Sequence, residues 1–187
     1  MTRIRLREAL SEFFAHAGLP RKPGIRACGD RRAAFEDFAL AVSEAGGDSA
    51  LLLVDSEGPV PRGVQPWDYV RNRRADGWRR PPGATDDQLH FMVQCMEAWL
   101  IADSAGLSRR YGKRFRLGAI PHASDVEVHP AAECLKILEK ATKDCPEPYR
   151  KTSKDYRPLE FIDPATVGAK SRFAQRLLQT LREILQR

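Results

Sequence analysis

Asp55 and Glu57 stand two residues apart at the end of an apolar run, Leu51-Leu52-Leu53-Val54, and Gly58-Pro59 stops the segment. A short apolar run bounded by turn residues reads as a buried, parallel strand. Open α/β sheets bind their ligands where such strands end. Side chains alternate along a strand, so extended geometry persisting to Glu57 would point both carboxylates to one side. Two carboxylates there suit a Mg²⁺ or Mn²⁺ ion; surface acids behind a core strand are the other reading. Phosphoryl-transfer enzymes use such acids to hold metal ions that neutralise phosphate charge and activate water.

Glu97 follows the next apolar run, Leu89-His90-Phe91-Met92-Val93. In a parallel sheet it reaches the same edge, as a further metal ligand or a catalytic base. Met96, Ala98, Trp99 and Leu100 flank it, so it is expected to be partly buried, and a buried carboxylate needs a partner or a metal. A solvated helix acid is the alternative. Asp103 reads as a helix cap rather than a ligand.

The remaining inventory excludes other chemistries. Cys28, Cys95, Cys134 and Cys145 contain no C-x-x-C pair, which argues against a zinc site and a disulfide scaffold. His16, His90, His122 and His129 form no H-x-x-x-H or H-E-x-x-H pattern. No Ser-His-Asp or Cys-His set stands out, and neither glycine-rich nucleotide-binding signature is present.

The elements that must position the acids alternate along the chain. Residues 4–17 form an amphipathic helix ended by Gly18 and Pro20. A short strand, Ile25–Cys28, precedes a helix over Arg31–Ala45, capped by Asp30, with Phe35, Phe38 and Val42 inward and Gly46-Gly47 as its stop. The strand Ala50–Val54 completes a β-α-β unit. A proline- and arginine-rich segment at 58–87 holds one short helix near Trp67–Arg73; it reads either as a substrate-contact loop or as an exposed insertion. Strand Leu89–Val93, helix Met96–Ala102, a helix from Asp103 to Tyr111, an amphipathic helix around Ala131–Ala141 and a C-terminal helix at Ser171–Gln186 follow.

With 187 residues the chain is expected to be one domain, 1–187, with a real core. No stretch approaches the roughly 20 apolar residues of a membrane span, and the basic N-terminus lacks the apolar core of a signal peptide. A cytoplasmic protein without membrane contact is the expectation. The net charge of +6 fits either a basic soluble protein or a DNA- or RNA-binding one. Basic residues cluster at Arg71, Arg73, Arg74, Arg79 and Arg80, where Trp67, Tyr69 and Trp78 interleave, and at Lys143, Arg150, Lys151, Lys154 and Arg157. Such aromatics either stack on bases or pack the loop. Lys151 and Lys154 are candidate phosphate contacts, with solvated lysines as the alternative.

The stretch Leu52-Leu53-Val54-Asp55-Ser56-Glu57, the block Leu89 to Asp103, and the later Tyr149-Arg150-Lys151 and Leu159-Glu160-Phe161-Ile162-Asp163-Pro164 resemble an uncharacterised bacterial family of Toprim-like proteins. The resemblance spans about Ile25 to Leu185, and Met96–Asp103 is its most specific part. It implies an α/β Toprim fold, a small parallel sheet flanked by helices. It also implies Mg²⁺ bound through an Asp-x-Asp-like motif, here Asp55-Ser56-Glu57, and a separate glutamate. The implied activity is cutting or joining of nucleic-acid backbones, with an ABC-type ATPase partner in phage defence or DNA repair.

One departure accompanies the resemblance. Toprim domains open with a strand ending in a glutamate that serves as general acid or base, whereas this chain opens on the Ile4–Ala17 helix, with Glu8 and Glu12 inside it. The expectation is a Toprim-like sheet lacking its first strand, its neighbouring edge open to another chain or a second copy. Two functions stay open: a Mg²⁺-dependent nuclease, and a non-catalytic binding or regulatory module.

Overall fold

The structure is a computed structural model that describes residues 2–44, 49–150 and 155–186, with side chains from Arg5 onward. Among these residues the chain is α/β, with eight α-helices around a two-stranded parallel sheet. The strands are β1 (Leu52–Asp55) and β2 (Leu89–Met92), paired Leu52 with Leu89 through Asp55 with Met92. The helices are α1 (Thr2–Ala15), α2 (Arg31–Ser43), α3 (Pro66–Asn72), α4 (Met96–Ala102), α5 (Ser104–Tyr111), α6 (Ala131–Thr142), α7 (Pro164–Lys170) and α8 (Arg172–Gln186). No described helix is long and apolar enough to cross a membrane.

Strand alternation divides the core into two. Leu52 and Val54 of β1, with Leu89 and Phe91 of β2, pack on Phe38 of α2 and Trp67 and Val70 of α3. On the opposite face Leu51, Leu53 and Met92 adjoin the larger cluster built from α1, α4, α5, α6 and α8. Trp99, Phe13 and Phe91 are fully buried. Being covered on both faces, the strands carry the near-continuous apolar runs that parallel sheets require.

Local chemistry explains the helix starts. Asp30 caps α2 by accepting from the Ala33 amide at 2.8 Å, and Pro66 opens α3 where its missing N–H costs nothing. Asp103 caps α5 through the Gly106 amide at 3.0 Å. Its second oxygen accepts from the Asp163 amide at 2.9 Å, which ties the start of α5 to the start of α7. Asp103 is therefore a structural cap, as its position before a helix suggests.

Two expectations change. Residues 22–28 form no strand: the segment has no ladder partner, contains Pro23, and is separated from β1 by a cavity that both line. The β-α-β unit is instead β1, the crossover carrying α3, and β2. The segment 58–87 is well anchored. Trp67 donates from Nε1 to the Thr85 carbonyl at 2.8 Å, Trp78 stacks on Phe35 at 4.7 Å, and the Tyr69 hydroxyl donates to the Ser56 carbonyl at 3.0 Å. The interleaved aromatics fix the crossover to the sheet and to α2. The Gly46-Gly47 stop lies outside the described residues.

Candidate functional site

β1 ends at Asp55 because the next residues turn. The Ser56 amide still donates to the Met92 carbonyl at 3.0 Å, but the Ser56 hydroxyl folds onto the Gly58 carbonyl at 2.6 Å. Glu57 then adopts φ +55°, in the left-handed region. Extended geometry therefore stops short of Glu57, and strand alternation does not align its side chain with that of Asp55. The Glu57 carboxylate instead receives Arg73 at 2.8 Å, half exposed at the surface.

Asp55 and Glu97 come together by a different route. The turn after β2 delivers α4 so that its first amide, that of Met96, hydrogen-bonds the Asp55 carboxylate. Glu97, one residue further along, is buried. Both acids line one cavity. Asp55 Oδ1 is buried and has no hydrogen-bond partner. Tyr149, from the segment after α6, donates its hydroxyl to Glu97 Oε1 at 2.9 Å.

The electrostatics follow from that geometry. Burial first, then the negative charge of Glu97, push the Asp55 carboxyl up to about 7; Glu57 adds to this, while the Met96 amide and Arg31 oppose it. Burial and Glu97 together hold the Tyr149 phenol far above its ordinary value, so it remains a hydrogen-bond donor. A carboxyl that titrates near neutrality beside a second buried carboxylate holds either a proton or a cation. Mg²⁺ is commonly held by one or two carboxylates, with water and phosphate completing its shell. The hard oxygens of Asp55 and Glu97, one of them unpartnered, fit that requirement. Among the described residues no group of three or more His, Cys, Asp or Glu side chains is gathered to hold a metal.

An arginine frame surrounds the acid pair. Arg31 forks onto Asp76, with Nε to Oδ1 at 2.8 Å and Nη2 to Oδ2 at 2.7 Å. It also donates to the Asp55 carbonyl and lies over the Trp78 ring at 4.7 Å. Arg73 donates to the Ser56 carbonyl at 2.9 Å and reaches Asp76 at 3.2 Å. Asp76, with a side chain 3% exposed, thus joins α2, the crossover and the end of β1.

Of the residues the sequence singles out, the fold brings Asp55 and Glu97 into one site and holds Glu57 aside on Arg73. Arg73 is inside the frame. Arg71 pairs with Asp68 at 2.8 Å and Arg80 with Asp86 at 3.5 Å, while Arg74 and Arg79 are exposed. Lys151 and Lys154 lie outside the described residues. Arg157 is paired with Asp155 and Glu147. Sequence reasoning missed Tyr149 as a site residue, and Arg31 and Asp76 as its frame. They lie 52 and 24 residues from the groups they serve, and Asp76 is 45 residues from Arg31, so no local spacing marks them.

The model of a family described as "Domain of unknown function (DUF4276)" matches residues 2–182. Neither the curated proteins nor the solved structures contain a match.

Proposed function

This chain belongs to the DUF4276 family, and from the site it carries we propose that it is a Toprim-like, divalent-cation-dependent nuclease, or a nuclease-derived subunit acting on DNA or RNA. The observation that supports this reading most is the buried, unpartnered oxygen of Asp55 beside the buried carboxylate of Glu97. Asp55 and Glu97 would hold Mg²⁺ or Mn²⁺. When bound, the ion supplies charge neutralisation on a phosphate and a more acidic water. The chain's own residues do the rest. Tyr149 fixes Glu97, Arg31 holds the end of β1 in place, and the exposed Arg71, Arg74, Arg79 and Arg80 offer contacts to a phosphate backbone. Lys151 and Lys154 extend that basic track in the sequence. Work in the cytoplasm beside an ABC-type ATPase, in phage defence or DNA repair, is the context that the resemblance suggests.

A second reading has its own support. Glu57 is engaged by Arg73, and two carboxylates stand where the resemblance implies more. On this reading the chain is a non-catalytic module that binds nucleic acid or a partner.

The test is cleavage of single- and double-stranded DNA and RNA with Mg²⁺ or Mn²⁺, comparing the natural chain with Asp55→Ala and Glu97→Gln. Metal-dependent cleavage lost in both variants supports the nuclease. Nucleic-acid binding without cleavage, unchanged in both variants, supports the module.

A further inference from the structure

We propose that the cavity along the free edge of β1 is a strand-acceptor slot, which takes an extended apolar segment of another polypeptide as a third strand of the sheet. β1 pairs with β2 on one side only among the described residues. The direction of its backbone groups is set by the Ser56 amide, which donates to the Met92 carbonyl. Backbone groups alternate along a strand, so Ser56, Val54 and Leu52 face β2 while Leu53 presents its N–H and C=O to the open edge. The Asp55 carbonyl, on the same edge, accepts from Arg31. Nothing described pairs with the Leu53 backbone.

This edge opens into a cavity of about 690 Å³. Its walls are those of a gap in the sheet plane. Leu10 and Phe14 of α1 and Leu177 of α8 lie on one face; Ala34, Phe38 and Ala41 of α2 lie on the other. The extended segment 23–29 closes the far side. A strand residue occupies about 160 Å³ of a packed sheet, from ~4.8 Å between strands, ~3.3 Å of rise and ~10 Å between layers. The cavity therefore takes roughly four residues, which matches the four residues of β1.

Shape and charge specify the occupant. Covered by helices on both faces, the added strand must be apolar at successive positions. A free edge with unpaired amides and carbonyls selects a backbone, which a compact apolar molecule does not offer. Asp55 and Glu97 stand at one end of the cavity, so charge complementarity favours a basic residue there. A second copy has no such segment to donate among its described residues. Its two strand-type apolar runs are already β1 and β2, and segment 23–29 lacks an apolar run.

The inference stands apart from the nuclease reading and is tested without metal. Fluorescein-labelled Ac-Lys-Val-Ile-Val-Val-Lys-NH₂ is titrated with the full chain in EDTA and followed by anisotropy. The controls are the same peptide N-methylated at every second residue, in both phases, and a version flanked by Glu. The slot predicts saturable binding, at least about tenfold weakening in one N-methylated phase, weaker binding of the Glu version, and slowed hydrogen exchange at the Leu53 amide. Ala41→Trp, which fills the cavity, should abolish binding; because that variant may be unstable, the peptide comparison on the natural chain decides. Absence of binding overturns the proposal, as does equal binding of both N-methylated peptides, which would mark a plain apolar pocket. A concentration-dependent dimer that protects the Leu53 amide also overturns it, by making a second copy the occupant.

Discussion

Tyr149 donates a 2.9 Å hydrogen bond to Glu97 across 52 residues of sequence, in a site where both groups are buried. The bond satisfies one oxygen of a carboxylate that has no counter-ion among the described residues. Tyr149→Phe keeps the ring and removes the donor. Leaving a buried acceptor unsatisfied costs about 1–3 kcal/mol, so urea unfolding without metal should show a loss of that size. If Glu97 holds a cation, Mn²⁺ should recover part of the loss in the variant. An unchanged unfolding midpoint would separate Tyr149 from Glu97.

Asp55 imposes a pH dependence whose sign is fixed by its surroundings. Its folded-state value near 7 lies above the ordinary value of 3.8. Between those values the folded state binds more protons than the unfolded one, so the group lowers stability as pH rises from about 4 to 7. Asp55→Asn removes this effect. The variant's stability relative to the natural chain should climb by up to about 1.4 kcal/mol per pH unit over that window. In EDTA at pH 8 it should be the more stable protein, and any stabilisation by Mn²⁺ should vanish. Calorimetry across pH checks both.

His90 acts in the opposite sense over nearly the same range. It is fully buried, its Nε2 lies 2.8 Å from the Asp87 carbonyl, and its Nδ1 faces Arg176 at 3.3 Å. Burial and Arg176 push it down to about 4. The unfolded chain therefore binds the extra proton between about 4 and 6.5, and the His90 contribution rises with pH there. Asp55 and His90 should largely offset each other. Asp55→Asn should show stability rising with pH in that range, and His90→Gln stability falling.

The arginines of the crossover divide by role. Arg73 is held by Ser56, Glu57 and Asp76, so Arg73→Ala should destabilise the fold. Arg74 and Arg79 are exposed, and Arg74→Ala with Arg79→Ala should leave stability within about 0.5 kcal/mol. On the nucleic-acid reading the double variant should weaken binding and lower the salt dependence by about one for each lost phosphate contact. Filter binding at several salt concentrations measures both quantities.

Gly106 is a packing constraint near the cap of α5. A Cβ there would lie 2.4 Å from the Phe161 carbonyl oxygen and 2.6 Å from Asp103 Oδ2. Gly106→Ala should cost about 1–3 kcal/mol through overpacking. Gly118→Ala, where a Cβ meets nothing within 4 Å, should not produce such a clash. Chemical denaturation of the two variants side by side checks the contrast.

The strands, the long helices and the caps at Asp30 and Asp103 were legible because each is written in consecutive residues. An apolar run signals a buried strand, and an acid before a periodic segment signals a cap. The expected strand at Ile25–Cys28 fails because an extended segment becomes a strand only when a neighbour supplies the ladder, which is a non-local condition. Glu57 differs for a related reason. The Ser56 hydroxyl and the Arg73 guanidinium turn the chain out of the strand, and neither contact is visible in Asp-x-Glu spacing.

The sequence by itself determined an α/β chain with apolar strands, capped helices and two acids, Asp55 and Glu97, each placed just after a strand. Only the tertiary structure decided that these two share a buried site, that Glu57 and Arg73 stand apart from it as a pair, and that Tyr149 and Arg31 hold it in shape. The physical reason is distance along the chain. Strand and helix patterns arise within a few residues, whereas the burial that raises Asp55 and the hydrogen bond that fixes Glu97 exist only once remote segments pack together.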